Sequence, residues 1–188
     1  MESDIDLMDA QEDIQETLIA DAAHGDSAAL AVIYDTYAQR VYRYFQSRVG
    51  NASDAEDLCA QTFMALLEAL PRYRHRGHFA AWIFQIARHK AIDHFRRQHP
   101  VSTMEESLVD PQAGKLIEDV IDKEAIEKLR RLFHSLDEDE RELLRLRFVI
   151  DLSFVEIAVL LGRKEDAVRK SVQRILNRLY SQMEVQNV

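Results

Sequence analysis

Glycine and proline are scarce in this chain, five and three in 188 residues. These residues punctuate a sequence into turns, so their scarcity leaves long segments without breaks. Within those segments apolar residues recur at i, i+3, i+4 and i+7, the period of a helix face rather than strand alternation. The chain therefore reads as all-α. Two of the three prolines, Pro100 and Pro111, fall with Gly114 inside HPVSTMEESLVDPQAGK, where no apolar period survives. A stretch of that composition reads as a flexible linker. The expected architecture is two small helical domains: an acidic N-terminal extension (1–19), a first domain (20–98), the linker (99–121), a second domain (122–182) and a tail (183–188).

Capping signals and stripes place the helices. After a segment expected to turn helical from about Gln11, Asp26 and Ser27 can cap a helix to about Val49, with Leu30, Ile33, Tyr34, Tyr37, Val41, Tyr44 and Phe45 inward. Ser53-Asp54-Ala55-Glu56 reads as a capping box. It opens a helix with Ala55, Leu58, Cys59, Thr62, Phe63, Leu66, Leu67 and Leu70 on its apolar face, ended by Pro71. On that stripe Cys59 reads as a packing thiol. A loop around Gly77 leads to a helix from about Phe79 to Gln98, with Phe79, Trp82, Ile83 and Ile86 inward. Trp82 there reads as core rather than as a ligand platform. Four shorter helices are expected over 122–134, 138–149, 153–161 and 165–182, with a second capping box at Ser153–Glu156 and a C-terminal stop at Gly162.

Charge is unevenly distributed. The formal net charge is −9, yet residues 1–39 hold ten acids and no Lys or Arg, while residues 40–188 hold 23 acids and 24 bases. Overall acidity is thus a property of the N-terminus. A lone cysteine cannot form an internal disulfide or a zinc framework. No apolar run approaches the roughly 20 residues of a membrane span and no basic-then-apolar leader opens the chain, so a cytoplasmic protein without membrane insertion is expected.

From Pro71 to Gln98 seven bases (Arg72, Arg74, Arg76, Arg88, Lys90, Arg96, Arg97) face one acid, Asp93, with four histidines among them. Such a run is either a solvated helix face or a surface for a polyanion. Helical spacing puts Gln85, His89, Asp93 and Arg96 on one face, and Arg72, Arg74, Arg76 and His78 surround flexible Gly77. A loop and helix of this kind can bind phosphates and hold an unstacked base of single-stranded DNA. Beside it Asp54, Asp57 and Gln61 form an acidic stripe that repels DNA and suits a basic protein partner.

In the second half, SFVEIAVLLGRKEDAVRKSVQRIL fits a helix-turn-helix, with Ala158 at a tight packing point and a glycine turn before the second helix. A plain helical hairpin is the alternative. In the DNA-binding reading the second helix enters the major groove, where Arg and Lys read guanine edges and Gln or Asn reads adenine. Val168, Val172, Ile175, Leu176 and Leu179 then face inward, with Arg169, Lys170, Gln173, Arg174 and Asn177 outside.

SDAEDLCAQTFMALLEALPRYR, FAAWIFQIARHKAIDHFRRQ and ERELLRLRFVIDLSFVEIAVLLG, in that order and spacing, resemble the extracytoplasmic-function (ECF) group of bacterial RNA polymerase sigma factors. The resemblance covers roughly residues 20–98 and 122–182. It implies a protein that binds core RNA polymerase and directs promoter recognition and transcription initiation. Asp54, Asp57 and Gln61 would dock on the coiled coil of the largest polymerase subunit. Arg72, Arg74, Arg76, His78, Arg88, His89, Asp93, Arg96 and Arg97 would recognise and open the −10 element. Lys164, Arg169, Lys170, Ser171, Gln173 and Arg174 would serve the −35 element. An anti-sigma factor is a further partner the resemblance implies, and the linker would thread toward the active-site and RNA-exit path. The sequence departs from the family pattern at Ala60-Gln61 (usually Gln-Glu), at His89 (commonly Asn), at Lys164 (usually a Ser or Thr cap), at Asp166, and in the order Arg169-Lys170-Ser171.

Two rival readings are a sigma-like decoy that occupies an anti-sigma factor, and a helix-turn-helix regulator with a sensing domain. A decoy should have lost its cationic faces, and a regulator leaves the acidic stripe and the basic helix of the first domain unexplained. Enzymatic function rests only on His75, His78 and the Asp93-His94 pair. With no metal-ligand set, no phosphate loop and no nucleophile beside a base, neither catalysis nor a cofactor or metal is expected. Free chain is expected to bind promoters poorly and to gain competence on core, which fixes the spacing of the two DNA-binding surfaces.

Overall fold

The computed structural model describes residues 16–74, 77–98 and 123–185. The expectations for 1–15, for His75 and Arg76, for the linker and for the last three residues lie outside them. The described residues form helices joined by turns: α1 (16–23), α2 (Ser27–Val49), α3 (Ala52–Ala69), α4 (Phe79–Gln98), α5 (Lys123–His134), α6 (Glu138–Leu144), α7 (Phe154–Leu161) and α8 (Glu165–Val185). The all-α, two-domain expectation holds.

Asp26 starts α2 by accepting hydrogen bonds from the amides of Ala28 and Ala29 at 2.7 and 2.9 Å, and Gly50, at φ 78°, closes it. The next helix begins earlier than its Ser-Asp-Ala-Glu signal suggests. Asn51 takes extended backbone straight after Gly50 and its Oδ1 accepts from the Asp54 amide at 2.8 Å. Asn51 is thus the cap in place of Ser53, because the chain turns at Gly50 and the first orphan amides lie within its reach. The boxes at Asp137–Glu140 and Ser153–Glu156 both form.

Ile33, Tyr37, Val41, Tyr44 and Phe45 from α2 pack with Ala55, Leu58, Phe63 and Leu66 from α3 and Phe79, Ile83, Phe84 and Ala87 from α4. Two residues expected inside lie outside. Tyr34 is 52% exposed with its ring tilted against Phe63 at 4.8 Å, and Leu67 is 43% exposed. Each sits at the margin of an apolar stripe wider than the seam its helix makes with its neighbours. Cys59 is half-buried, 3.8 Å from the Ala38 carbonyl oxygen, and burial pushes its thiol above its usual range.

In the second domain Val168, Val172, Ile175 and Leu179 of α8 close on Ile157, Ala158 and Leu160 of α7 and on Leu143 and Leu146. The helix expected over 138–149 is α only to Leu144 and then widens into a π-helical turn, Arg145–Val149. Asp151 follows at φ 50°, a conformation Asp tolerates better than most residues. Gly162 ends α7 at φ 63°, and a Cβ added there would meet nothing within 4 Å. Gly162→Ala is therefore expected to cost backbone strain alone, about 1–2 kcal/mol, read as a lower urea midpoint with unchanged slope.

The two domains touch. Helix α4 packs on α7, and α2 packs on the π-helical turn. One hydrophobic cluster runs through both domains.

Candidate nucleic-acid and polymerase interfaces

The loop ahead of α4 stands on an aromatic pedestal. Tyr73 lies 4.3 Å from Trp82 and 5.2 Å from Phe79 between ring centroids, which fixes the chain on which Arg72 and Arg74 project into solvent. Gly77 bends the loop at φ 73°, and His78 follows half-buried. Trp82 is itself only half-buried. With Tyr73, Ala81 and Gln85 it floors a cleft of about 610 Å³ rimmed by Arg72, Arg74 and His78, with Val159 and Leu160 of α7 opposite. Tyr73 and Trp82 thus line a basic cleft as well as pack, a role the apolar stripe alone could not reveal.

Along α4, Gln85, His89, Asp93, Arg96 and Arg97 are exposed on a helix whose other side is buried. Arg88 differs. It is half-buried, with its Nε 3.6 Å from the Glu142 carboxylate of the second domain.

Within the acidic stripe, Asp57 and Gln61 face solvent. Asp54 is half-buried and engaged locally. Its carboxylate accepts from Asn51 Nδ2 at 2.8 Å and lies 3.5 Å from His94 Nε2, bridging α3 to α4. The outward part of the stripe is therefore Asp57 and Gln61.

On α8 and the turn before it, Lys164, Arg169, Lys170, Gln173 and Arg174 are exposed. Ser171 is not. Its side chain is buried and its hydroxyl accepts from Arg163 at 2.8 Å and from Arg174 at 3.4 Å. The expected outward position of Ser171 is corrected by the helical period, which puts it beside Val168 and Val172 on the packed face. Arg163, in the turn, is the cation that sequence reasoning passed over. Arg169 is held by Glu165 at 2.5 Å and lies 4.7 Å over the Phe154 ring, a pre-set orientation for its guanidinium. Among the described residues no group of three or more His, Cys, Asp or Glu side chains is placed to hold a metal ion, and no helix is long and apolar enough to cross a membrane.

Two helical units, one with a basic loop and helix and one with a cationic helix-turn-helix, define a two-domain DNA-binding protein. Residues 33–100 match the Sigma-70 region 2 family and residues 126–179 match the Sigma-70, region 4 family. The chain is 33% identical over 174 residues to the ECF RNA polymerase sigma factor SigD of Mycobacterium tuberculosis, covering 87% of this chain and 81% of SigD. It is 34% identical over 175 residues to the ECF RNA polymerase sigma factor ShbA of Streptomyces griseus, covering 86% and 91%. The chain belongs to the ECF sigma factors: it binds core RNA polymerase and directs promoter recognition and transcription initiation. That family is not one of enzymes. Among solved structures it shares the fold of CnrH in complex with the cytosolic domain of CnrY, with TM-score 0.68 at 22% identity over 90% of this chain and 96% of that one. The sigma factor RpoE with the anti-sigma factor NepR from Bartonella quintana matches with TM-score 0.55 at 21% identity over 79% and 91%.

Proposed function

We propose that the work of initiation is divided among three surfaces. Asp57 and Gln61, with Asp54 behind them, dock on a basic surface of core polymerase. The loop cations Arg72, Arg74 and Arg76 with His78, and the α4 residues Arg88, His89, Asp93, Arg96 and Arg97, engage the opened −10 element. Lys164, Arg169, Lys170, Gln173 and Arg174 approach the −35 element, with Ser171 orienting two arginines rather than touching bases. Residues 20–98 and 122–182 form the two domains, and 99–121 joins them. The observation that carries this reading is the separation of signs. Two exposed cationic faces lie on different helical units, and the exposed Asp57 and Gln61 lie on a third helix, α3.

The basic cleft suits a base taken out of the stack, since Tyr73 and Trp82 present ring surface beside arginines that can hold the flanking phosphates. An anti-sigma protein is a further partner in this reading, supported by the complex with the anti-sigma factor NepR in which one of the similar folds was solved. Retention of both cationic faces favours a transcribing sigma factor over a decoy.

Reconstituted transcription tests the whole. The chain with sigma-free core on genomic fragments is expected to yield discrete new RNA 5′ ends that share upstream elements; none, with core and template proven active, would overturn the reading. Asp57→Ala is expected to weaken core binding by about tenfold, equivalent to about 1.4 kcal/mol, with thermal stability unchanged. Equal core affinity in a fluorescence titration would remove Asp57 from the docking surface.

A further inference from the structure

The second helix of the helix-turn-helix, α8, carries an arginine that is held before any DNA is bound. Glu165 opens the helix, and one turn on Arg169 donates to its Oε1 at 2.5 Å. The Arg169 guanidinium carbon also lies 4.7 Å from the centroid of the Phe154 ring, at the start of α7. Phe154 is half-buried and packs against the hydrophobic core, so its ring is a fixed platform. A second guanidinium, that of Arg147, lies 5.2 Å from the same centroid. It donates to Asp151 Oδ1 and to the Leu152 carbonyl oxygen, both at 3.0 Å. Phe154 thus serves arginines from two different elements, and each arginine has an acid of its own four residues away.

Contacts this exposed do little for stability. The Arg169 side chain keeps 57% of its surface in solvent and that of Glu165 keeps 40%. Ion pairs between such groups are worth little. What they change is freedom. A long arginine side chain samples many rotamers, and on DNA it can swing to a phosphate or to a base edge. Phosphate contacts carry no sequence information, and base-edge contacts do.

Both neighbours of Arg169 bias that choice. Glu165 takes one of the guanidinium donors and sets a carboxylate beside the group, where it repels phosphate. Phe154 backs the group from the α7 side and restricts its rotation. The donors that remain are enough for bidentate pairing with guanine O6 and N7. Arg169 lies within the first two turns of α8, and the N-terminal residues of a helix in the major groove are the ones that reach base edges.

We propose that Glu165 and Phe154 are positioning residues for promoter reading: they hold Arg169 for a guanine of the −35 element and keep it off the phosphates. Sequence discrimination at that base pair then depends on two residues that touch no base. The proposal rests on the reading of α8 as the −35 helix. Arg169 contributes selectivity more than affinity, the reverse of a cation that meets phosphate.

The test uses holoenzyme and a promoter mapped by transcription. Duplexes in which each −35 base pair is changed singly are titrated with wild type, Arg169→Ala, Glu165→Ala and Phe154→Leu, each first checked for folding by circular dichroism. Arg169→Ala marks the pair that Arg169 reads, expected to be a G·C pair at which wild type discriminates by roughly tenfold or more. Glu165→Ala and Phe154→Leu are each expected to lose about fivefold or more of that discrimination, at the same pair only. Glu165→Ala is also expected to bind a duplex of scrambled −35 sequence more tightly. Its slope of log affinity against log salt should steepen by about 0.9, one added phosphate contact. A merely structural role would weaken binding to every duplex alike and leave the ratio at the marked pair unchanged, and that result overturns the proposal. Discrimination lost with Arg169→Ala but kept by either folded variant overturns it too, with the −35 reading intact. If Arg169→Ala alters discrimination at no −35 pair, the reading of Arg169 as a −35 contact fails and the proposal fails with it.

Discussion

Phe84→Ala is expected to be the most damaging single substitution in the first domain, lowering stability by about 3–5 kcal/mol. The ring is fully buried. Its centroid lies 6.0 Å from that of Tyr44 in an edge-on arrangement, and the Arg40 guanidinium covers it at 5.6 Å. Removing it opens a cavity in helices that cannot close around it, since Ile83 and Ala87 on the same helix are already in contact with the core. The damage also spreads across the domain boundary, because Tyr44 and Arg40 are both residues that grip the second domain. At about 2–4 °C per kcal/mol for a unit of this size, the melting temperature should fall by roughly 6–20 °C in calorimetry. A loss under about 1 kcal/mol would mean that the site collapses freely, contrary to close packing.

The second large effect is electrostatic. With Arg72, Arg74, Arg96 and Arg97 all replaced by Ala, holoenzyme binding to a mapped promoter should lose salt dependence. Each lost single-strand phosphate contact removes about 0.7 from the slope of log affinity against log salt, or about 3 for four contacts. A fourfold rise in salt should then cost the wild type about fifty-fold more affinity than it costs the variant. All four side chains are exposed, so the fold should be unaffected. The measurement is a binding titration of the holoenzyme at several salt concentrations. An unchanged slope would show that these arginines do not meet phosphates and that the positive face of α4 is only solvated.

Much of the helical framework was legible in the residues. Asp26, Ser153 and Gly162 act as local signals because a cap depends on atoms within one turn, and local atoms are what a sequence lists in order. The α8 stripe of Val168, Val172, Ile175 and Leu179 was legible because burial repeats with the helix. The same logic exposes the outer faces of α4 and α8, and the family matches follow from the order of these segments. Where two local signals compete, the sequence was less decisive. Ser53 carries the capping-box pattern, but Gly50 stops α2 so close to Asn51 that Asn51 takes the cap.

Residues at the margins of a stripe were harder. Tyr34 and Leu67 are apolar and in register, and what leaves them exposed is how wide a seam the neighbouring helix covers. Ser171 shows the opposite case, a polar residue in a basic run that the helix turns inward, where its hydroxyl finds Arg163 and Arg174.

The sequence by itself determined most of the helices and caps, the cationic faces and the family, because each depends on contacts a few residues apart. Only the tertiary structure decided that Glu142 meets Tyr44, Arg48 and Arg88, 94 or more positions away in the case of its bonds to Arg48 and Tyr44. In the sequence Glu142 is one acid among many on a charged helix, and Arg48 one base near a helix end. Burial makes their pairing obligatory, and burial belongs to the packing of two domains, which no local pattern encodes.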